Sequence, residues 1–324
     1  MPENKNTGTG APLVSVVMAC YNAEKFVRAT LDSILAQTWP NLEVCVADDA
    51  STDSSREILA SYGGVVRWET GPRRGQSAAV NRAYRMAAGR FINFHDGDDL
   101  MAPDKIARQV EVALANPGMV VYGPWRLAWH NGSGFEKREE RQTGPVPDDA
   151  DLLEMHLRGW FCPNHAYLWP RSVIERIGLW DESLCADKDA DYAMRAILAG
   201  VGFVYCPNAW ADYVMHKGPR ESVSRTARSL RSRCRVVRKV TRVLEEQRRL
   251  DRYRDAIAWR YDEFARTHWE TCRPVAVWCA RQARRISGKP TEVGKWHYRL
   301  VRRMFGIYVA EGIAMAKRRL LRLF

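Results

Sequence analysis

Phe91-Ile92-Asn93-Phe94-His95-Asp96-Gly97-Asp98-Asp99 is the stretch whose reading decides the fold. It opens on mostly apolar residues of strand character and runs into three carboxylates within four positions. Like charges this close either share protons or share a cation. A strand that ends in Asp-x-Asp presents two oxygen ligands at a sheet edge, where a hard divalent ion can take them. The bland alternative is a solvated acidic turn.

Working outward, the same alternation recurs. Residues 13–19, 42–47 and 65–68 read as short buried strands like the one at 91. Residues 24–38, 54–62, 76–88 and 103–115 read as helices, the first with Val27, Leu31, Ile34 and Leu35 on one face. Pro40 stops that first helix, and Pro103 opens the last. Strands alternating with helices through short turns predict an α/β, Rossmann-like sheet with helices on both faces. Ligands on such sheets sit at the carboxyl ends of the strands. Tyr21-Asn22, Asp48-Asp49 and Asp96-Asp98 all fall there. A basic, glycine-containing loop at residues 71–75 precedes the helix at Gln76, a place for an anion.

Beyond Ala115 the pattern loosens. Residues 119–127 read as a strand, 130–150 as a polar loop, 151–159 as a short helix, 164–169 as a strand and 171–177 as a helix. A second acidic cluster, Asp187-Lys188-Asp189-Ala190-Asp191, precedes a helix at 192–199 and a strand at 202–207. Tyr213-Val214-Met215-His216 closes the front half. From Ser222 onward the chain reads as nearly all helical, with breaks near Pro274 and Gly288-Lys289-Pro290.

The 324 residues are 46% hydrophobic, enough to bury a core, which excludes a disordered chain. Charge is unevenly spread. Residues 217–324 hold 29 Lys+Arg against 10 Asp+Glu, a net +19, whereas residues 1–216 hold 21 against 28, a net −7. The basic back half suggests an anionic partner. None of the eight cysteines forms a C-x-x-C pair, and several sit in apolar runs, so reduced core thiols and a cytoplasmic location are expected. Residues 1–12 read as a polar, glycine-rich tail without the apolar centre of a signal peptide. No apolar run approaches the ~18 residues of a spanning helix.

Taken in order, V-S-V-V-M-A-C-Y-N (14–22), V-A-D-D-A-S-T-D-S (46–54), G-Q-S-A-A-V-N (75–81), F-H-D-G-D-D (94–99), D-K-D-A-D-Y-A-M-R (187–195) and Y-V-M-H (213–216) resemble the motifs of glycosyltransferase family 2. These are inverting enzymes with the GT-A fold, a Rossmann-like mixed sheet. The resemblance covers residues 13–224 and not the last hundred. Each piece is weak alone; the set in this order is specific.

The resemblance implies that Asp96 and Asp98 hold Mn2+ or Mg2+ against the two phosphates of a nucleotide-sugar donor, with Asp99 beside them. It implies that Asp49 reads the nucleobase, a uracil by the imide N–H a carboxylate can accept, bordered by Tyr21 and Asn22. Asn81 matches a donor-side Asn, although Val80 stands where the family usually has Arg; Arg74 or Arg82 would compensate. His216 matches a histidine that meets the metal or diphosphate. Asp189 matches the catalytic base, which takes the acceptor hydroxyl proton; Lys188 replaces the usual Glu, and Asp191 is the second carboxylate. A shifted register would put the base at Asp187 or Asp191. Lys217, Arg220, Ser222 and Ser224 would close over the diphosphate. Trp160, Phe161, Asn164, His165, Trp180 and Asp181 would lie toward the acceptor, where aromatic faces suit sugar rings.

The expected organisation is a tail at 1–12, a GT-A catalytic domain at 13–217 and a basic α-helical extension at 218–324. The extension alternates Arg and Lys with apolar residues, so it is read as lying on an anionic membrane surface, with Trp296, Phe305, Tyr308 and Phe324 at the interface. An oligomer interface and an acidic-glycan site are the alternatives; nucleic acid is not favoured, since no binding motif accompanies the charge. The expected function is sugar transfer to a glycan or lipid-linked acceptor in cell-surface polysaccharide or glycoconjugate synthesis. The rival readings are a sugar-phosphate nucleotidyltransferase and a catalytically inactive membrane-surface binding protein.

Overall fold

The computed structural model describes residues 10–130, 135–142, 144–216, 225–288, 291 and 293–320. Strands β1 (Val14–Cys20), β2 (Leu42–Asp48), β3 (Val66–Thr70) and β4 (Phe91–Asp96) alternate with helices α1 (Val27–Leu35), α2 (Ser55–Ser61) and α3 (Gln76–Met86), in the predicted order. There follow β5 (Leu100–Met101), α4 (Lys105–Ala115), β6 (Val120–Tyr122), β7 (Trp125–His130), β8 (Phe135–Gln142), α5 (Leu152–Leu157), β9 (Tyr167–Pro170), α6 (Arg171–Ile177), α7 (Lys188–Leu198), β10 (Phe203–Tyr205) and β11 (Ala211–Met215). Helices α8 (Ala227–Glu246), α9 (Leu250–Thr267), α10 (Arg273–Ser287) and α11 (Trp296–Leu320) complete the chain.

The described residues divide into two units. The first falls within Met1–Ala150, Cys162–Ser183 and Arg195–Pro219; the second within Asp151–Phe161, Leu184–Met194 and Arg220–Phe324. The helical unit therefore recruits two front-half segments that the expected boundary at 217/218 left with the sheet.

In the first unit a seven-stranded sheet runs β10-β6-β9-β4-β1-β2-β3. The β4-β1-β2-β3 portion is parallel, and β9 is antiparallel to both neighbours, so the sheet is mixed. Near-continuous apolar strands such as β1, whose valines are fully buried, need helices on both faces. Val27, Leu31 and Ile34 of α1 supply part of that cover. A smaller sheet, β5-β11-β7-β8, carries β11 parallel to β7.

Two readings of this region change. Residues 119–127 form two strands, because Gly123 and Pro124 break the run, and a Cβ on Gly123 would lie 2.6 Å from the Ala209 carbonyl oxygen. The polar loop expected at 130–150 contains β8, an outermost strand of charged sequence FEKREERQ. Edge strands tolerate charge, and its lack of apolar alternation hid it.

In the second unit α8, α9 and α10 pack together over Leu230, Val237, Tyr253, Phe264 and Ala276. Pro274 at the start of α10 and Gly288 in left-handed conformation after it are the breaks read from the sequence. The α8–α9 break was not legible, because Arg248 rather than Gly takes the positive φ. Gly306 (φ 80°, ψ 175°) kinks α11.

None of the eight cysteines is in a disulfide, and all but Cys185 are buried. Burial pushes the Cys20 and Cys45 thiols up to about 12, so they act as core residues. Among the described residues no helix is long and apolar enough to cross a membrane.

Lys105 is fully buried, its Nζ donating to Gln109 Oε1 at 2.7 Å. Burial pushes its pKa down from 10.5 to about 7. Between those values the unfolded chain binds more protons than the folded one, so this group adds stability as pH rises. Lys105→Met is therefore expected to be most stabilising relative to the parent near pH 7. The advantage in urea midpoint should shrink as pH approaches 10; a difference flat across that range would contradict the buried, perturbed lysine.

Candidate active site

The parallel register decides where the polar clusters meet. Ala19 pairs with Asp96, Cys20 with Asp48, and Asp48 with Thr70, so β4, β1, β2 and β3 end together. Tyr21 and Asn22 leave β1 at this edge, Asn22 with φ 46°. The Asn22 amide N–H donates to Ser51 Oγ (2.9 Å), and its Oδ1 accepts from the Thr52 amide (2.8 Å). The turn after β1 is thereby tied to the turn after β2. Asp53 accepts from the amide of Ser55, at the start of α2, and from the amide of Glu24, ahead of α1.

Asp48 is fully buried and accepts from the Ser51 amide and from Thr70 Oγ1 (2.8 Å). Asp49 accepts from the amides of Arg74 (2.9 Å) and Gly75 (2.8 Å), one on each oxygen. It thus pins the loop at 71–75, a role the sequence did not reveal. In the same loop the Arg73 guanidinium lies 4.4 Å from the centre of the Tyr21 ring, a cation–π contact. Arg74 pairs with Glu182 at 3.5 Å. Arg82 donates to the Asp48 carbonyl at 2.7 Å and crowds Gly71, so it props the loop from within.

The three carboxylates of the opening stretch have different partners. Asp96 Oδ1 accepts from Gln76 Nε2 in the first turn of α3 at 2.5 Å. Asp98, about a third exposed, lies 3.1 Å from His216 Nε2, which donates to it. Phe26 packs against the His216 ring at 4.6 Å and edge-on to His130, fixing the imidazole. Asp99 is 1% exposed and accepts from the Val214 amide at 2.7 Å. It thus fastens β11, and with it His216, beside the Asp-x-Asp turn. Thr30 Oγ1 donates to the Gly97 carbonyl and holds the turn from α1.

Four residues expected to contact donor or acceptor are buried against partners within the protein. Asp99 belongs to the frame of the site rather than to its donor face. Asn81 is buried, accepts from the Trp180 amide and donates to the Trp180 carbonyl and Glu182 Oε1, so it clamps the 180–182 turn instead of touching a donor. Trp180 is buried edge-on to Phe94 and offers an acceptor no face. His165 is fully buried, 3.0 Å from Asp99 Oδ2 without hydrogen-bond alignment, and stacked near Tyr213. Burial pushes its pKa down to about 4, so it is neutral at pH 7 and cannot reach an acceptor. His95, beside it, is also held neutral by burial and donates from Nδ1 to the Asp96 carbonyl.

The second acidic cluster lies in the second unit. Asp189 and Asp191 are in the first turn of α7. Asp187 (φ 55°) pairs with Arg233 (3.2 Å) and Arg260 (3.1 Å). Asp191 is buried against Lys239 Nζ at 2.6 Å, an ion pair that engages the carboxylate expected on the acceptor side. Trp160 packs edge-on to the buried His156 and lines a surface cavity of about 310 Å³ with Asp151, Glu154, Met155 and Arg158. Lys217, Arg220, Ser222, Ser224 and Phe324 lie outside the described residues, as does the side chain of Phe305.

Among the described residues no three His, Cys, Asp or Glu side chains converge as a metal cage. The Asp98–His216 pair, with Asp96 at the same strand ends, offers carboxylate oxygens and one imidazole nitrogen. It suits an ion that takes its remaining ligands from phosphate and water.

The site is thus a mixed GT-A-like sheet with carboxylates at its strand ends. The Glycosyl transferase family 2 model matches residues 15–178, and the chain belongs to that family. It is 30% identical over 187 residues to an uncharacterized glycosyltransferase of Rickettsia typhi, covering 56% of this chain and 58% of that one. It is 36% identical over 121 residues to the Escherichia coli UDP-Glc:alpha-D-GlcNAc-diphosphoundecaprenol beta-1,3-glucosyltransferase WfgD, covering 37% and 48%. The chain thus spans about half the length of these relatives. The crystal structure of S. aureus TarS 1–349 in complex with UDP-GlcNAc superposes with a TM-score of 0.66 at 18% identity, over 95% of this chain and 92% of that one.

If Asp99 is frame and Asp98 is site, truncation separates them. Asp99→Ala should destabilise by about 1–3 kcal/mol by orphaning the Val214 amide. Asp98→Ala should leave the urea midpoint nearly unchanged. Equal effects of the two substitutions on stability would contradict the division.

Proposed function

We propose that this protein is an inverting, metal-assisted glycosyltransferase. It transfers a sugar from a nucleoside-diphosphate donor, a UDP-sugar, to a hydroxyl of a glycan or lipid-linked acceptor in cell-surface polysaccharide synthesis. It works on the cytoplasmic side of an anionic membrane. The observation that carries the reading is the meeting of Tyr21, Asn22, Asp49, Asp96, Asp98 and His216 at one strand-end edge, in a chain of this family. The name of the E. coli relative, which states a UDP-glucose donor and a lipid-diphosphate acceptor, supports the donor and acceptor classes.

In this reading Tyr21 and Asn22 border the nucleobase. Asp49, held by the amides of residues 74 and 75, accepts a hydrogen bond from the uracil imide N–H. Asp96, Asp98 and His216 would hold Mg2+ or Mn2+, which when bound neutralises charge on the departing diphosphate. Asp189, assigned by the family motif, takes the proton of the acceptor hydroxyl as its oxygen attacks the anomeric carbon from the face opposite the diphosphate. Trp160 offers an aromatic face to an acceptor sugar. Balanced, one glycosidic bond forms, the anomeric carbon–phosphate oxygen bond breaks, and a nucleoside diphosphate leaves.

A thermal-shift screen of nucleotide sugars with and without Mn2+ tests this. A UDP-sugar should raise the midpoint only with the metal, and Asp98→Asn should abolish that metal-dependent rise. Asp189→Asn should lower kcat about 10²–10⁴-fold while keeping the donor-induced shift. Release of pyrophosphate instead of nucleoside diphosphate, or silence with every donor, would overturn the proposal.

A further inference from the structure

Helix α11 is built inside out. A helix on a water-soluble unit normally turns its apolar stripe inward and its polar face to solvent. Here the inward residues are polar. Tyr298 donates to the fully buried Glu311, Arg266 Nε lies 3.5 Å from the same carboxylate, and the Arg266 guanidinium sits 4.3 Å over the Tyr298 ring. Arg302 donates to the fully buried Asp262 at 2.6 Å. The outward residues are apolar: Trp296 is 70% exposed, Met304 63%, Tyr308 59% and Ile313 56%, with Leu300 and Val309 also exposed. Trp296, Leu300 and Met304 recur every four residues before the kink at Gly306, and Tyr308, Val309 and Ile313 continue beyond it.

We infer that this outward face of α11 is the element that docks the protein on an anionic lipid bilayer; the inference rests on the membrane-surface reading above. The charges around the stripe choose the occupant. Lys295, Arg299, Arg303 and Lys317 are exposed around it, while the one acidic residue of α11, Glu311, is buried. Apolar side chains with Trp and Tyr, flanked by cations and free of exposed acid, match the boundary between acyl chains and anionic headgroups. A second copy of the same face would bring Arg299 and Arg303 against like charge, because a two-fold interface is self-complementary. Helix α8 adds long-range attraction. Arg228, Arg231, Arg235, Arg238 and Arg242 are exposed at intervals of three and four residues, an arginine stripe along one helix face. Each basic residue near an anionic surface adds attraction that salt screens.

The test is co-sedimentation of the full chain with phosphatidylcholine vesicles, with and without phosphatidylglycerol, at low and high salt. The parent should bind only the anionic vesicles, more weakly at high salt. Leu300→Glu/Met304→Glu should lower partitioning at least about tenfold, with the thermal midpoint unchanged because both positions face outward. Should the glutamates lower that midpoint, serines at the same positions serve instead. A parent that binds no anionic vesicle sinks both this inference and the membrane reading. A parent that binds while the double variant binds equally well overturns the role of α11 and leaves the membrane reading standing. A parent dimer that the double variant converts to monomer, by sedimentation velocity, assigns the face to a second copy and also overturns it.

Discussion

Three carboxylates in four residues at the end of one strand must be separated or neutralised, and the fold does both. Asp99 turns inward, where the Val214 amide meets it. Asp96 is met by Gln76 from the start of α3, and Asp98 by His216 from the end of β11. Each partner comes from a different element, so hydrogen bonds to the three carboxylates tie α3 and the small sheet to the edge of the large one. The buried carboxylate is the anchor, and the partly exposed one is left to a ligand. That division follows from desolvation. A carboxylate is buried safely only where fixed dipoles or an ion pair replace water.

The β-α alternation and the polar edge were legible because they depend on local pattern. β1, β2 and β4 are short apolar runs with turn residues at their ends, and parallel pairing puts those ends side by side. What the pattern could not say is which polar residue faces outward. Asn81, His165, Trp180 and Asp191 are residue types found at sugar-binding sites, yet each is buried among partners distant in sequence, such as Asn81 with Trp180 and Asp191 with Lys239. Burial of that kind is a tertiary property with no period for a sequence to display. β8 was missed for a related reason. Its exposed edge has no apolar alternation, and it is held by main-chain pairing to β7.

Glycine and proline were reliable where they punctuated, at Pro274 and Gly288, and silent where other residues took the strain. Asn22, Ala50, Asp187, Asn208 and Arg248 all hold positive φ. Three of them flank or join candidate functional segments: Asn22 after β1, Ala50 after β2, and Asp187 at the head of the second acidic cluster. Non-glycine residues persist in this region only where surrounding contacts over-determine them. The Ser51–Asn22–Thr52 bonds and the two arginines on Asp187 are such contacts.

The charge asymmetry between the two halves is partly resolved within the second unit. The acidic segments it recruits bring Asp151, Asp187 and Asp191, which meet Arg252, Arg233, Arg260 and Lys239 of the basic helices. Asp262 and Glu311 take Arg302 and Arg266 in the same way. The basic back half is thus the counter-ion of the motif that carries Asp189, and its inward-facing cations are explained by packing. The outward arginines of α8 and the cations flanking the apolar face of α11 are exposed, and they carry positive charge to the surface of this unit. A surface that is both cationic and apolar is costly in water, and an anionic bilayer satisfies both features at once.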